Sequence, residues 1–411
     1  MRFVAVTYGT EGDARPMAAL CRALINAGHE ARLLADISTL GSAAALGVPA
    51  TPIAGDIKAA VQPGAALAKI VGKGGGFADA AKAMAHLANA NAEAWMREAL
   101  EAAQGCDAVI AGGLAAFVGF SVAERLGVAA IGTGLIPITP TAEFPSPFLR
   151  PGAIPRWLNR TSHRVVNGLI WRAFRARTNA ARAKTLGLAP RRRLWTDLPM
   201  LYGISSSLLP RPRDWPDNVV MCGRWAPPAT DWTPPAALAA FLAAGEPPLY
   251  VGFGSMAGLD RRTLLAALLP AVGGRRALFY PGWSGVEASD LPANFLTLGD
   301  TPHDWLFPRA SIVIHHGGSG TSHSAVRAGV PSVVVPFVGD QFFWADCLQR
   351  AGAASLSVAA RDVTASALER GITLAESAAM RSRASALGAA MSEENGLSRA
   401  VAEIERLVLR R

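Results

Sequence analysis

The sequence predicts an α/β protein of two doubly wound, parallel-sheet domains facing a cleft. Three observations predict it. Short apolar runs alternate with helix-like segments from the first residues onward. The alternation breaks in a proline-crowded stretch and then starts again. The glycines, serines, histidines and acids able to do chemistry follow the apolar runs directly, where the strands of such sheets end and ligands bind. The 411 residues suffice for two or three domains with real cores. With 51% hydrophobic and 17% charged residues, the chain is not of the disordered class.

The elements follow in order. Residues 2–7 read as a buried strand and residues 9–13 as a glycine turn. Residues 16–27 read as a helix, with Pro16 in its first turn and Gly28 just past its end. Residues 30–35, 108–111 and 129–133 read as further strands, with a helix through residues 122–126. This is a Rossmann-like βαβ rhythm. Prolines 210, 212, 216, 227, 228, 234 and 235 mark a linker over about 210–235. The first domain is therefore expected over 1–212 and the second from 213. The rhythm then resumes, with strands expected at 249–253, 277–280, 295–298, 311–314 and 332–336.

No window has the uninterrupted apolar length a membrane span needs; residues 108–123 come nearest and are broken by glycines and a serine. Residues 1–10 lack the longer apolar region and cleavage site of a signal peptide. Cys21, Cys106, Cys222 and Cys347 lie far apart with no CxxC, and are expected to be reduced and buried in a cytoplasmic protein.

The loops carry the chemistry. His316 to Thr321 follows a strand and opens a helix expected to run to about residue 328. The free amides of such a helix start, with glycines that admit a phosphate, a threonine hydroxyl and a histidine, form a diphosphate cradle. The same pattern also fits a tight strand–helix turn with solvated histidines. It is not a Walker loop, since no Gly-Lys-Ser/Thr occurs. Gly254-Ser255 is a second phosphate contact of the same kind, and Gly282-Trp283 is either a base platform or packing. Asp340-Gln341 suits sugar hydroxyls, but Asp340 could equally cap the helix that follows. Asp13, in the first glycine turn, could take a proton from a hydroxyl or cap its own helix. No DxD, HExxH, GxSxG or Cys/His metal spacing is present, so no metal site is expected.

Taken together, Gly12-Asp13-x-x-Pro16, Gly28-His29-Glu30, Gly254-Ser255, the run Pro302 to Arg309, His315 to Thr321, Arg327 to Pro331 and Gly339-Asp340-Gln341 recur in one order. This resembles a GT-B fold glycosyltransferase of the family-1 (UDP-glucosyl/glucuronosyl) type, bacterial antibiotic, sterol and rhamnolipid branch. The resemblance spans nearly the whole chain. It implies an inverting, metal-independent hexosyltransferase with no cofactor. The donor would be a UDP- or dTDP-sugar, a co-substrate held mainly by the second domain. The acceptor would be a lipophilic or polycyclic hydroxylated molecule (natural product, sterol or hydroxy-acyl lipid) held mainly by the first. Asp13 takes the place of the family's general base, and Gly12 adjoins it. His316 matches the histidine on the donor phosphates, with His315 beside it. Gly320, Thr321 and Ser255 match phosphate contacts, and Asp340 and Gln341 the pair on the donor sugar. Thr301 to His303 lies where the nucleobase is held. Gly318 and Ser319 stand where the plant-type signature has Trp and Asn, which leaves the choice of base open. A last helix over 392–411 is expected to cross back to the first domain. Two alternatives share the scaffold: a nucleotide-sugar epimerase or phosphorylase, and a non-catalytic helper.

The net charge of +9 is unevenly spread. Residues 144–196 hold no Asp or Glu but carry twelve Arg and Lys, more than the whole net charge. Interleaved Trp157, Val165, Leu169, Trp171 and Phe174 recur at spacings of three and four, as on an amphipathic helix. The stretch reads as a peripheral contact with an anionic membrane, at its inner face, or as a helix with one buried and one solvated basic side. Nucleic acid is not expected, since no binding module surrounds the arginines.

Overall fold

A computed structural model describes residues 1–61, 77–227, 232–254, 261–282, 284–355 and 357–410. Ser255 and Trp283, both expected at the site, lie outside the described residues.

The first sheet contains β1 (Arg2–Val6), β2 (Glu30–Asp36), β3 (Ala50–Ile53), β4 (Ala108–Ala111), β5 (Ala129–Gly134), β6 (Met200–Tyr202) and β7 (Val219–Met221). Their order is β3-β2-β1-β4-β5-β6-β7, all parallel. The second sheet contains β8 (Leu249–Gly252), β9 (Ala277–Tyr280), β10 (Phe295–Thr297), β11 (Ile312–His315) and β12 (Ser332–Val334), in the order β10-β9-β8-β11-β12, again all parallel. Each central strand is apolar on both faces because helices cover both, as buried parallel sheets require. Strand order reverses between β1 and β4 in one sheet and between β8 and β11 in the other. Those two switch points are where such sheets leave a crevice.

Three expectations need correction. The first helix is Glu11–Asn26, beginning five residues earlier than expected, with Pro16 inside it. Thr10 caps it: its side chain accepts from Gly12 N, while Asp13 reaches back to the Thr10 amide. That reciprocal box starts the helix, so Pro16 does not mark its beginning. β7 lies beyond residue 212 and belongs to the first sheet, so the chain crosses between the sheets after Met221. This strand is three residues long and stands among prolines, which hid it. The last helix is Gly396–Leu409; residues up to Ser392 belong to a separate helix, Ala378–Ser392.

That last helix does cross back. Ala400, Val401 and Ile404 are buried in the core beneath β1 and the first helix, and Glu405 meets His29 Nε2 at 2.8 Å. The domains also share an apolar core, in which Phe144, Tyr202 and Ile204 pack with Val326, Phe343 and Trp344. All four cysteines are buried and unpaired.

Candidate functional site

The second-domain side of the cleft is made of strand-end turns. β11 ends at His315; His316, Gly317 and Gly318 turn the chain, and the helix Ser319–Arg327 begins. Gly318 stands at its N-cap with no side-chain bond. The first-turn amides of Ser319, Gly320 and Thr321 have no carbonyl partner among the described residues. Gly317 has φ +89°, and a Cβ there would lie 2.9 Å from both Gln341 O and Val334 Cγ1, so only glycine fits. The turns after β8 and β9 converge on the same point. A Cβ on Gly254 would come 3.2 Å from His316 Cε1, and one on Gly282 only 2.1 Å from Gly254 O.

The histidines here are held neutral. Burial pushes His316 down to about 4, and its Nδ1 is buried without a partner. His315 Nδ1 accepts from Gly317 N at 3.1 Å, which puts the proton on Nε2, also buried and unpartnered. Burial, with His316 and His303 nearby, holds His315 well below its usual range. His303 falls to about 3 through burial and the positive charges of Arg15 and Arg224, and its ring stacks on Phe307 at 4.3 Å. Thr301 Oγ1 donates to Gly299 O at 3.1 Å beside it. Two ring nitrogens without protein partners and three amides free of carbonyls thus fall within seven consecutive residues, a set of groups suited to an anion.

Asp340 sits at the N-cap of the helix Gln341–Arg350, but its carboxylate does not cap it. Oδ2 instead accepts from Trp344 Nε1 at 3.0 Å, and burial raises its pKa to about 6. Gln341 is almost wholly buried, and its Oε1 accepts from Phe337 N at 2.7 Å and Val338 N at 3.1 Å. That oxygen is committed to shaping the turn that presents Gly339 and Asp340.

The first-domain side supplies Asp13, with Gly12 exposed in the helix turn before it. Asp13 Oδ2 accepts from Thr10 N at 3.1 Å, and Oδ1 has no partner among the described residues. Burial raises Asp13 to about 7; the Thr10 bond opposes this and the Asp340 carboxylate adds to it. Asp340, on the other domain, is thus near enough for its charge to be felt at Asp13. Gly9 makes room for the arrangement, since a Cβ there would sit 2.0 Å from Asp13 Oδ2.

Beside Asp13 opens a small crevice, also lined by Thr7, Pro16, Met17, Gly112, Gly113, Thr133, Gly134, Leu135 and Trp225. It occupies the switch point between β1 and β4. Trp225 belongs to the segment joining the domains and is 5% exposed. Its neighbour Arg224 forks onto Asp304 at 2.8 and 3.1 Å and donates to Ser324 Oγ at 2.9 Å. Ser324 Oγ in turn donates to Gly320 O at 2.9 Å. His323 Nδ1 donates to Ser319 O at 2.7 Å while Nε2 accepts from Ser205 N at 3.2 Å, tying the start of the helix to the first domain. Sequence reading missed Trp225, Arg224, His323 and the pocket wall. Only His323, one helical turn after Ser319, left a spacing that could have been noticed.

A model of the erythromycin biosynthesis protein CIII-like C-terminal domain matches residues 279–406. A sterol 3-beta-glucosyltransferase of Arabidopsis thaliana is 30% identical over 416 residues, covering 98% of this chain and 67% of the relative. A second from that plant is 30% identical over 421 residues, covering 98% of this chain and 64% of the relative. One from Neurospora crassa is 31% identical, covering 99% of this chain and 27% of the relative. The chain thus spans about two thirds of the plant relatives and about a quarter of the fungal one. Among solved structures, the glycosyltransferase VinC in complex with dTDP superposes with a TM-score of 0.68 at 18% identity, covering all of both chains. The glycosyltransferase SnogD of Streptomyces nogalater superposes with a TM-score of 0.63 at 22% identity, covering 99% of each. These structures share the fold. The chain belongs to the family-1 glycosyltransferases of the GT-B fold.

Proposed function

We propose that this protein transfers a hexose from a UDP- or dTDP-sugar to a hydroxyl of a sterol-like or polycyclic natural-product acceptor, inverting the anomeric centre without a metal. The reading rests on one observation above the others. Asp13 lines the first-domain pocket and is near enough to Asp340 of the second domain for their charges to repel, and the second domain adds a helix start with uncommitted amides.

In this mechanism the acceptor hydroxyl lies in the pocket beside Asp13. Asp13 Oδ1 accepts its proton as the oxygen attacks the anomeric carbon. The bond from that carbon to the diphosphate breaks on the opposite face, which inverts the centre. The departing charge is met by the amides of Ser319 to Thr321, the Thr321 hydroxyl and His316. Asp340 accepts from sugar hydroxyls, while Gln341 holds its turn in place. Thr301 and His303 border the base. An Asp raised to about 7 suits a general base, because a proton acceptor works best with a pKa near the working pH. The sterol enzymes among the relatives support a sterol-like acceptor. The bound dTDP of VinC keeps a thymidine donor beside a uridine one. The arginine-rich stretch 144–196 gives the protein a peripheral contact with an anionic membrane.

The test is turnover of a panel of UDP- and dTDP-sugars with cholesterol and with polyketide alcohols, in buffer containing EDTA, with the product anomer read by NMR. An α-linked donor should give a β-linked product. A retained anomer, or turnover that needs an added divalent ion, would overturn the mechanism.

A further inference from the structure

We propose that the outward face of the helix Asn159–Ala181 docks on an anionic lipid bilayer and that the acceptor is drawn from that bilayer. This rests on the lipophilic-acceptor reading above and adds the surface that meets the lipid.

The structure sorts the basic residues of this stretch. Arg160 pairs with Asp214 at 2.5 Å, Arg182 with Glu124 at 2.8 Å, Lys184 with Glu93 at 2.8 Å and Arg191 with Glu124 at 3.7 Å. Arg156, Arg164, Arg172, Arg175 and Arg177 are exposed and have no ion pair among the described residues. A guanidinium without a counter-ion on the protein is free to meet one outside it.

The same face carries exposed apolar side chains. Trp157 is 79%, Leu169 60% and Val165 54% exposed, three of the six exposed large apolar side chains among the described residues. At about 100° per residue, Val165, Leu169 and Arg172 fall within an arc of roughly 60°, with Arg164 and Arg175 on one flank. Trp157 stands in the single turn that leads into the helix. Aromatic and aliphatic groups at the crest with cations at the flanks match a lipid surface, where the apolar groups enter the acyl boundary and the guanidiniums stay with the phosphates. A nucleic acid backbone has no use for such a crest.

The inner face of this helix leads to the pocket. Asn167 Nδ2 donates to Ile138 O at 3.0 Å, His163 Nε2 meets Phe144 O at 3.1 Å, and Ser146 N donates to Ser162 Oγ at 2.9 Å. The chain held by these bonds runs back to Leu135 in the pocket wall. A bilayer on the outer face therefore lies about one helix diameter, roughly 10 Å, from a segment continuous with the acceptor pocket.

The experiment uses the full chain and two sets of vesicles, phosphatidylcholine alone and phosphatidylcholine with one third phosphatidylglycerol. Co-sedimentation should occur with the second only and weaken steeply with salt. Arg164→Gln with Arg172→Gln and Arg175→Gln should weaken it about 100-fold, since each basic residue near such a surface contributes about fivefold. Trp157→Ser with Leu169→Ser should weaken it about tenfold. Both variants should lose turnover of cholesterol presented in the anionic vesicles, yet match the wild type on cholesterol delivered by cyclodextrin. Equal binding to both vesicles, variants that bind as the wild type does, or arginine-dependent retention on DNA without vesicle binding would overturn the proposal. A wild type that binds anionic vesicles but turns over cholesterol from neither source would instead refute the sterol acceptor and leave the docking face standing.

Discussion

The two sides of the cleft are built differently. On the second-domain side, a few contiguous residues do the work. His315 to Thr321 supplies the turn, the free amides and two unsatisfied ring nitrogens within seven positions. On the first-domain side, the pocket wall comes from the ends of β1, β4 and β5, from the first helix and from Trp225 in the domain connection. A phosphate asks for the same donors whatever it carries, so a short, fixed loop can serve it. An acceptor asks for a shape, and shape is assembled from distant parts of the chain. The two sides are not independent. Arg224 and Trp225 are adjacent residues, one bonded to Asp304 and Ser324, the other in the pocket wall.

Substitutions on the two sides should differ in effect. Second only to loss of the Asp13 carboxylate itself is a change in the compact loop: His316→Ala should cut kcat by about several hundredfold, in the range of losing one donor to a leaving group's charge. Steady-state kinetics would show the acceptor KM nearly unchanged; a rise in that KM larger than the fall in kcat would break the division of labour. Next is Gly9→Ala, whose new methyl group must displace the Asp13 carboxylate. It should cost about tenfold to a hundredfold in kcat with nucleotide affinity intact, checked by kinetics alongside calorimetry with UDP and dTDP. Trp225→Ala should raise the acceptor KM by about tenfold and leave the nucleotide Kd within twofold. A large change in nucleotide affinity would mean that Trp225 reports to the donor side through Arg224.

The smallest effect is on stability. Asp13 holds its proton more tightly folded, at about 7, than as an ordinary carboxyl. Stability therefore falls as pH climbs from the usual carboxylate range to about 7, and above that the whole cost of the buried charge remains. Asp13→Asn removes that cost, and the amide oxygen can still accept from Thr10. The variant should melt roughly one to three degrees higher than the wild type at pH 8, and no higher near pH 4. Equal melting temperatures at pH 8 would place the Asp13 charge in contact with water.

The same contrast explains what the sequence could tell. The alternating apolar runs and the turns at their ends marked the second sheet and β1, β2, β4 and β5 of the first, but not the short strands β3 and β6; β1, β4, β8 and β11 are apolar on both faces and each ends at, or within three residues of, a glycine or histidine. The turn from His315 to Thr321, proposed to hold the donor phosphates, was legible for the same reason, all of it lying in one stretch of chain. β7 was not legible, since three residues between prolines carry no periodicity. The start of the first helix was misread because Pro16 looked like an opening residue. The signal that governs is the Thr10–Asp13 pair, which was present but outweighed. For Asp340 the sequence left a cap and a ligand role open; only the bond from Trp344 shows that the carboxylate does not cap its helix. The pocket wall and the Arg224–Asp304 fork depend on contacts between residues far apart in the chain, which no local pattern encodes.

The proposed mechanism turns on the carboxylate of Asp13 as proton acceptor. The direct measurement is kcat/KM against pH for the wild type and Asp13→Asn, with nucleotide affinity measured on both. In the wild type, activity should rise with pH through about 7, as Asp13 loses its proton. In the variant that rise should vanish and kcat should fall about a thousandfold, with the nucleotide Kd unchanged. Turnover close to wild type, or a loss of nucleotide affinity as large as the loss of turnover, would contradict it.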